Sequence, residues 1–207
     1  MIPVKVLAVR YLANASAALC QALEAPKGYP SLAMLTTDCD DATYIALDAA
    51  TKAADVRVAY GRSFYAGAAN ASTPNAGEVI GILAGQTPGS VRSGMEAALS
   101  ALQRLGFEET NNVPYFAHTV ASAGSFLAGE AGVRQGTALA YLIAPPLEGM
   151  YAMDAALKSA DVKLCKLYAP PSETNFGGGL LSGTQSACEA ACAAFAEAVK
   201  EVAARPK

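Results

Sequence analysis

The pattern of hydrophobic and polar positions predicts the same order of secondary-structure elements in each half of the chain. Short alternating apolar runs are typical of strands, whereas apolar residues three or four positions apart are typical of helices. In the first half the pattern predicts four strands, Val4–Val9, Leu32–Thr37, Val56–Tyr60 and Val79–Ala84. It also predicts three helices, Ala15–Glu24, Ala42–Ala53 and Gly89–Leu105. The second half repeats this order with shorter connections.

The repetition extends to the residues themselves. The segments "DAATKAADVRV" (Asp48–Val58) and "DAALKSADVKL" (Asp154–Leu164) each read as the end of a helix that runs into a strand. Downstream, "IGILAGQTPGSVRSGM" and "GGLLSGTQSACEAAC" each give a short apolar strand, a glycine, a threonine suited to an N-cap, and a helix. Two matches at nearly the same spacing predict a duplicated domain, with boundaries at residues 1–108 and 109–207.

The last helix of each half has the same predicted buried stripe. In the first half the stripe comprises Val91, Met95, Ala98, Leu102 and Leu105, and Gly106 is the predicted stop. In the second half the stripe comprises Cys188, Cys192, Phe195, Val199 and Val202.

The number of helices limits the topology of each half. There are too few helices to join every pair of strands by a right-handed crossover. We therefore expect an α+β fold in each copy, a mainly antiparallel four-stranded sheet with helices packed on it. Three duplicated chains in a closed ring would offer six similar positions, so that a trimer would imitate a hexamer.

Composition and charge exclude several classes of protein. No apolar run among the 207 residues approaches the roughly 20 residues of a membrane span, and Lys5 and Arg10 interrupt the first strand, which leaves no signal-peptide core. We therefore expect a cytoplasmic protein. A net charge of −3 without a basic run predicts no basic surface to which nucleic acid would bind. Five cysteines without a CxxC pair predict buried thiols rather than disulfides or a zinc site, and we expect no metal and no cofactor.

A glycine-rich segment, "FGGGLLSGT" from Phe176 to Thr184, has the spacing of a phosphate-binding loop. It lacks the lysine that such a loop needs to reach the terminal phosphates. The alternative interpretation is a turn or pore-edge loop in which the glycines allow close backbone approach.

The acidic run "DCDD", Asp38–Asp41, begins like a calcium loop. The sixth position is not glycine, however, and Ala49 stands where the bidentate glutamate would lie, so the EF-hand hypothesis fails. Asp40 or Asp41 is instead expected to accept N–H groups of the following helix. That role is compatible with carboxylates that also face a solvent channel.

His118 is the only histidine, so any acid–base or nucleophilic constellation depends on it. It lies in the strand-like segment "VPYFAHTVA", where a packed, hydrogen-bonded role is more common than a catalytic one. No active site can be assembled from the remaining residues, and the chain is not expected to be an enzyme.

Several motifs resemble a known family. The repeated "DAAxKxADV" is similar to the signature of bacterial microcompartment shell domains, and the chain as a whole resembles the tandem-domain, trimer-forming shell proteins. Four longer segments are similar to the members of this family that serve ethanolamine utilisation: "DDATYIALDAATK", "VAYGRSFYAGAA", "YLIAPPLEGMYAMDAALKSADVKL" and "PPSETNFGGGLLSGTQSACEAACAAF". The resemblance covers nearly all of the chain from about Ser31 onward.

The resemblance implies a pseudo-hexagonal homotrimer that tiles with other shell proteins, both hexameric tiles and pentameric vertices. It implies that Lys52 and Lys158 lie at the tile edge. It also implies small subunit pores lined by Asp40, Asp41, Ser172, Glu173 and Thr174, and a central pore gated by the loop residues Ser63, Phe64, Tyr65, Ala66 and Gly67. Some members bind ethanolamine or cobalamin at a pore.

Three alternatives remain open at this point. The tile could belong to another aldehyde-producing compartment, for choline, ethanol or propanediol. It could be a scaffold without conduction, in which Phe64 and Tyr65 merely anchor a surface loop. A small α/β enzyme or cobalamin-binding module would be favoured only by the glycines and His118.

Overall fold

The computed structural model describes residues 1–64, 78–170 and 175–207. The chain forms two compact units. The first unit contains Pro3–Gly106 together with the short segment Gly124–Phe126. The second unit contains Met1–Ile2, Phe107–Ala123 and Leu127–Lys207.

The first unit is built on a four-stranded antiparallel sheet with the strand order β2-β3-β5-β4. Its strands are β2 (Val6–Leu12), β3 (Ser31–Thr37), β4 (Val56–Ser63) and β5 (Val79–Gly85). Its helices are α1 (Ala17–Ala22), α2 (Asp40–Ala53) and α3 (Pro88–Leu102). The sheet and the order of elements are as predicted, although β2 begins two residues later than expected and α1 is shorter at both ends.

The second unit repeats this arrangement and extends it. Its six-stranded sheet has the order β1-β6-β7-β8-β10-β9. Its strands are β1 (Ile2–Pro3), β6 (Gly106–Thr110), β7 (Val113–Val120), β8 (Ala138–Ala144), β9 (Lys163–Tyr168) and β10 (Gly177–Gly183). Its helices are α4 (Ser125–Ala131), α5 (Pro146–Ser159) and α6 (Gln185–Ala204). The four strands β7, β8, β10 and β9 correspond to the sheet of the first unit, and β1 and β6 were not predicted.

The two copies also share their hydrogen-bonded register. Ser31 pairs with Gly85 between β3 and β5, and Ala138 pairs with Gly183 between β8 and β10. The predicted threonine caps are present, because the side chains of Thr87 and Thr184 accept the backbone N–H groups of Ser90 and Ala187. The duplication is therefore confirmed at the level of pairing and capping.

The cores consist of helix stripes packed on the sheets. All five predicted positions of α3 and its C-terminal turn are buried, and four of the five in α6 are buried, while Val202 is only half-buried. The prediction that Gly106 ends the first of these helices was wrong. The helix ends at Leu102, and Gly106 is instead the first residue of β6, whose residues 108–110 pair with β7 in the second sheet.

The interpretation of Phe176–Thr184 as a turn or pore-edge loop was also wrong. Gly177–Gly183 forms β10, which lies between β8 and β9. The prediction that these glycines allow close backbone approach was right, however. Gly178 has a φ of +154°, and a Cβ there would lie well inside 3.0 Å of the Leu142 backbone. A Cβ at Gly179 would lie 2.3 Å from the Lys166 carbonyl oxygen. Glycine is needed at these positions so that neighbouring strands can approach.

Candidate functional site

An acidic turn lies where β3 passes into α2 and where β5 begins. We use this name for Asp38, Asp40, Asp41 and Glu78. The Asp38 carboxylate accepts the backbone N–H of Lys5 at 2.8 Å, and the Asp40 carboxylate accepts the backbone N–H of Asp41 at 2.9 Å. The backbone N–H of Glu78 donates to the carbonyl of Thr37 at 2.9 Å. Backbone contacts thus hold four carboxyl groups at the end of one sheet.

The expected capping role is present in a modified form. The N-cap position of α2 belongs to Cys39, whose side chain makes no capping hydrogen bond, and Asp40 and Asp41 are the first two helical residues. Both aspartates are buried, at 9% and 8% exposure. Their negative charge at the N-terminal turn favours the helix.

The mutual proximity of the carboxyl groups changes their acidity. Burial, followed by repulsion from Asp40 and Asp38, raises the pKa of Glu78 above its ordinary value. Burial and the nearby Asp41 raise the pKa of the Cys39 thiol far above its ordinary value. The acidic turn therefore favours cations and hydrogen-bond donors, and its thiol is not a nucleophile at neutral pH. In the described part of the chain, no three His, Cys, Asp or Glu side chains are grouped to hold a metal ion.

The base of the predicted gating loop lies beside this turn. The backbone N–H of Phe64 donates to the Glu78 carbonyl at 2.9 Å, and the Ser63 hydroxyl bonds the Tyr44 hydroxyl of α2. Phe64 is 40% exposed, a high value for a phenylalanine. The other predicted gate residues, Tyr65, Ala66 and Gly67, and the predicted pore residues Ser172, Glu173 and Thr174 lie outside the described residues.

The two signature lysines differ in their surroundings. Lys52 Nζ lies 3.2 Å from Asp48 Oδ2, and the Asp48 side chain is fully buried while that of Lys52 is 38% exposed. Lys158 makes the matching ion pair with Asp154, but both side chains are exposed, at 75% and 64%. Equal positions in the sequence therefore carry an anchored pair in one copy and a solvated pair in the other.

The remaining candidates take structural positions. His118 lies half-buried in β7, and its ring stacks on Phe116 at 5.9 Å between centroids. All five cysteines are free thiols, of which Cys188 and Cys192 are buried and the other three are half-buried. The prediction of buried thiols is thus right for two of the five. No helix of residues 1–64, 78–170 and 175–207 has both the length and the apolar content to cross a bilayer.

Three residues of the site were missed by sequence reasoning. Glu78 stands alone before a strand, and no local pattern links it to Asp38. Asp48 was visible as part of the repeated motif, but only the lysine of that motif was singled out. Gly124, whose N–H donates to the Asp48 carboxylate at 2.7 Å, is distant in sequence and carries no signal.

Comparison with known proteins identifies the family. A family model described as the BMC domain matches residues 31–114. The bacterial microcompartment shell protein EutL of Clostridium perfringens is 57% identical over 205 residues, which is 97% of this chain and 94% of the relative. EutL of Escherichia coli is 46% identical over the same shares of the two chains.

Solved structures agree. The crystal structure of the ethanolamine utilization protein EutL from Leptotrichia buccalis has a TM-score of 0.95 and 56% identity, and the match covers 99% of this chain and 96% of that one. The crystal structure of a trimeric bacterial microcompartment shell protein, PduB, shares the fold at 20% identity, with a TM-score of 0.79 over 94% of this chain and 87% of that one. At these identities and coverages, the chain belongs to the EutL shell proteins of bacterial microcompartments, which are structural components of the shell in ethanolamine utilisation and not enzymes.

Proposed function

We propose that three copies of this chain close into a pseudo-hexagonal tile of the microcompartment shell in the bacterial cytoplasm. Each chain supplies two similar domains, residues 1–108 and 109–207, so that three chains give six positions. The observation that carries the proposal is the duplicated register, in which β2-β3-β5-β4 and β7-β8-β10-β9 pair alike. Two domains with the same surfaces can occupy successive positions of one ring.

Shell assembly supplies the partners of such a tile. Shell proteins assemble with other shell proteins, and the expected neighbours here are hexameric tiles and pentameric vertices. Lys52 and Lys158 lie near the C-terminal ends of α2 and α5, and their side chains are 38% and 75% exposed. A lysine stem can lie along a neighbouring tile while its charge meets a carbonyl or carboxylate. These lysines are therefore proposed to sit at the tile edge.

The acidic turn is proposed to line a small pore through each subunit. Asp40 and Asp41, with the predicted pore residues Ser172, Glu173 and Thr174, would present carboxylates and hydroxyls to a passing solute. Such a lining favours cations and small polar molecules over anions. Ethanolamine, which carries an ammonium group at neutral pH, meets this requirement. Cobalamin is a second ligand to be tested at the pores.

The loop that starts at Ser63 is proposed to gate the central pore. Its first residues are held at a fixed base, by the Tyr44 hydroxyl at Ser63 and by the Glu78 carbonyl at Phe64. The exposed Phe64 ring, with Tyr65, Ala66 and Gly67 beyond it, is the proposed plug. A bulky aromatic on a fixed base can close a pore without rearrangement of the sheet.

The first test is the native mass of the purified protein by light scattering, followed by negative-stain microscopy. We expect three chains of 21.1 kDa each and hexagonally ordered sheets at higher concentration. Permeation through reconstituted shells then tests the pore, with Asp40→Asn and Asp41→Asn expected to reduce the preference for cations over anions. Asp161→Asn, at an exposed position between α5 and β9, is the control. A monomer that never assembles would contradict the tile, and an unchanged ion preference would contradict the pore lining.

A further inference from the structure

Two buried threonines lie directly behind the acidic turn. Thr37 is the last residue of β3, and Thr43 is the fourth residue of α2. Both are 0% exposed, and their hydroxyl oxygens lie 2.7 Å apart. We call Thr37 and Thr43 the threonine pair.

Both hydroxyls of the threonine pair contact the backbone of Cys39. The Thr37 hydroxyl lies 2.9 Å from the Cys39 carbonyl oxygen, and the Thr43 hydroxyl lies 2.8 Å from it. Thr37 Oγ1 also accepts the backbone N–H of Cys39 at 3.1 Å. Two protons serve these contacts if one hydroxyl donates to the carbonyl and the other donates to the first hydroxyl. Side chains therefore hold both polar groups of the Cys39 backbone.

The backbone that the pair holds carries the carboxylates of the acidic turn. Asp40 and Asp41 follow Cys39 directly, and the Cys39 side chain makes no capping hydrogen bond that could hold the helix start itself. The carbonyl of Thr37 accepts the backbone N–H of Glu78 at 2.9 Å. Thr37 thus contacts both segments that bring carboxyl groups to this end of the sheet.

The second copy shows the same junction without the threonine pair. Ala144, the last residue of β8, is the counterpart of Thr37. Gly149, the fourth residue of α5, is the counterpart of Thr43. A threonine would not fit at Gly149, because a Cβ there would lie 2.6 Å from the Gly177 carbonyl oxygen.

The start of the helix does not need the hydroxyls. The backbone N–H of Gly149 donates to the Pro145 carbonyl at 2.7 Å, just as the backbone N–H of Thr43 donates to the Cys39 carbonyl at 3.3 Å. Residues 145–147 are Pro-Pro-Leu, where residues 39–41 are Cys-Asp-Asp. The threonine pair is therefore found in the copy that has the carboxylates and is replaced in the copy that lacks them. This difference indicates a role toward the charges rather than toward the fold.

We propose that Thr37 and Thr43 are positioning residues of the subunit pore, which hold the carboxylates of Asp40 and Asp41 at its lining. The inference rests on the proposed pore lining and names the residues that maintain its selectivity. Neighbouring carboxylates repel one another, and this repulsion acts to displace the start of α2. The two hydroxyls oppose the displacement and add no charge of their own.

Replacement by valine tests the threonine pair. Thr37→Val and Thr43→Val keep the branched shape of each side chain and remove its hydroxyl, and valine and threonine have similar helix propensities. In shells reconstituted with either variant, the ratio of cation flux to anion flux is expected to fall about threefold or more, because the attraction for a passing cation weakens as the carboxylates move away. The ratio is measured because incomplete shells leak both kinds of ion.

Thr36→Val is the matched control. Thr36 is the preceding residue of β3, and its hydroxyl is buried without a hydrogen-bond partner among the residues that the structure describes. The control removes the same atoms one position away and should leave the flux ratio unchanged. Thr37→Ser and Thr43→Ser keep the hydroxyls and should retain the ratio of the parent.

Thermal unfolding followed by circular dichroism separates positioning from a merely structural role. A structural role predicts a lower melting temperature and an unchanged flux ratio in tiles that still assemble. Positioning predicts a lower flux ratio at a temperature where every variant is folded. Loss of the ratio in the serine variants as well would assign the effect to the methyl groups and would overturn the inference.

The remaining outcomes distinguish this inference from the proposed function. If the valine variants keep the ratio of the parent while Asp40→Asn lowers it, the inference is overturned and the pore lining stands. Failure of both valine variants to fold would also overturn it, because the hydroxyls would then serve the fold itself. If Asp40→Asn and Asp41→Asn leave the ratio unchanged too, the proposed pore lining fails first.

Discussion

At the scale of single residues, the tightest requirement lies in β10, between β8 and β9. Gly178 combines a φ of +154° with a close approach to the Leu142 backbone. A side chain would require both an unfavourable backbone conformation and a shift of β8. Glycine is therefore strongly favoured at this position, although the sequence shows only a run of three glycines.

Gly178→Ala is expected to lower the free energy of unfolding by about 3 kcal/mol, from backbone strain together with overpacking. Chemical denaturation followed by circular dichroism measures the change. Gly129→Ala in α4 is the control, because a Cβ there meets nothing within 4 Å. That substitution should be neutral or stabilising by about 0.5–1 kcal/mol. Equal losses in both variants would show that the strand contact is unimportant.

The thiols provide a second prediction at this scale. Burial, partly offset by a hydrogen bond from Thr119, raises the pKa of Cys192 to about 11, and burial raises the pKa of Cys39 further. Because the thiolate is the reacting form, Cys165 should react with a disulfide reagent at pH 8 at least about tenfold faster than either. Cys165→Ser should remove a fast phase. Rapid reaction of Cys39 in the folded protein would contradict the burial argument.

At the scale of elements, the junction of β3, α2 and β5 collects negative charge. Glu78 is protonated more readily in the folded chain than in the unfolded one, because burial and two aspartates raise its pKa. Between its ordinary pKa near 4.5 and the raised value, the folded state binds more protons, so this residue lowers stability as pH rises. The charges at this junction therefore lower the stability of the folded chain at neutral pH, as is expected of a functional surface.

Glu78→Gln removes this effect and should raise the melting temperature at pH 7. The gain should shrink as the pH falls and disappear below about 4.5, where the glutamate is protonated in both states. Thermal melts between pH 4 and pH 8 measure it, with Glu96→Gln on the exposed side of α3 as control. A gain that is independent of pH would point to packing rather than charge.

The ends of α2 and α5 give a second prediction for elements. Lys52→Ala leaves the fully buried Asp48 carboxylate without its ammonium partner and should lower stability by about 1–3 kcal/mol. Lys158→Ala removes an exposed pair and should change stability by no more than about 0.5 kcal/mol. Urea denaturation compares them. Similar losses would mean that the burial of Asp48 is energetically unimportant.

At the scale of the whole molecule, the two lysines have a common role in the proposed tile. Lys52→Ala and Lys158→Ala together should leave the three-chain mass unchanged and reduce the ordered sheets seen by negative-stain microscopy. The lysine stems contact a neighbouring tile in this proposal, whereas the ring is closed elsewhere. Loss of the three-chain mass in this variant would place the lysines inside the ring instead of at its edge.

Sequence patterns predicted much of this molecule because they are local. Helix stripes such as Met95 and Ala98, the caps at Thr87 and Thr184, and the repeated "DAAxKxADV" depend on neighbours within a few positions. β1 and β6 were not predicted, because neither a two-residue strand nor a polar strand shows a clear alternation of apolar and polar residues. Glu78 and Gly124 escaped because their partners, Asp40 and Asp48, are 38 and 76 positions away in the chain.

The contrast between Asp48 and Asp154 also bears on how such a chain can change over generations. In a ring of six identical chains every substitution would be introduced six times, at every contact together. In the proposed ring of three chains with two copies each, a substitution would be introduced three times, at alternate positions only. Asp41 in one copy and Leu147 in the other are equivalent positions that carry different residues. In the proposed tile, the acidic turn of the first copy can therefore line a small pore without the same residues being imposed on the second copy.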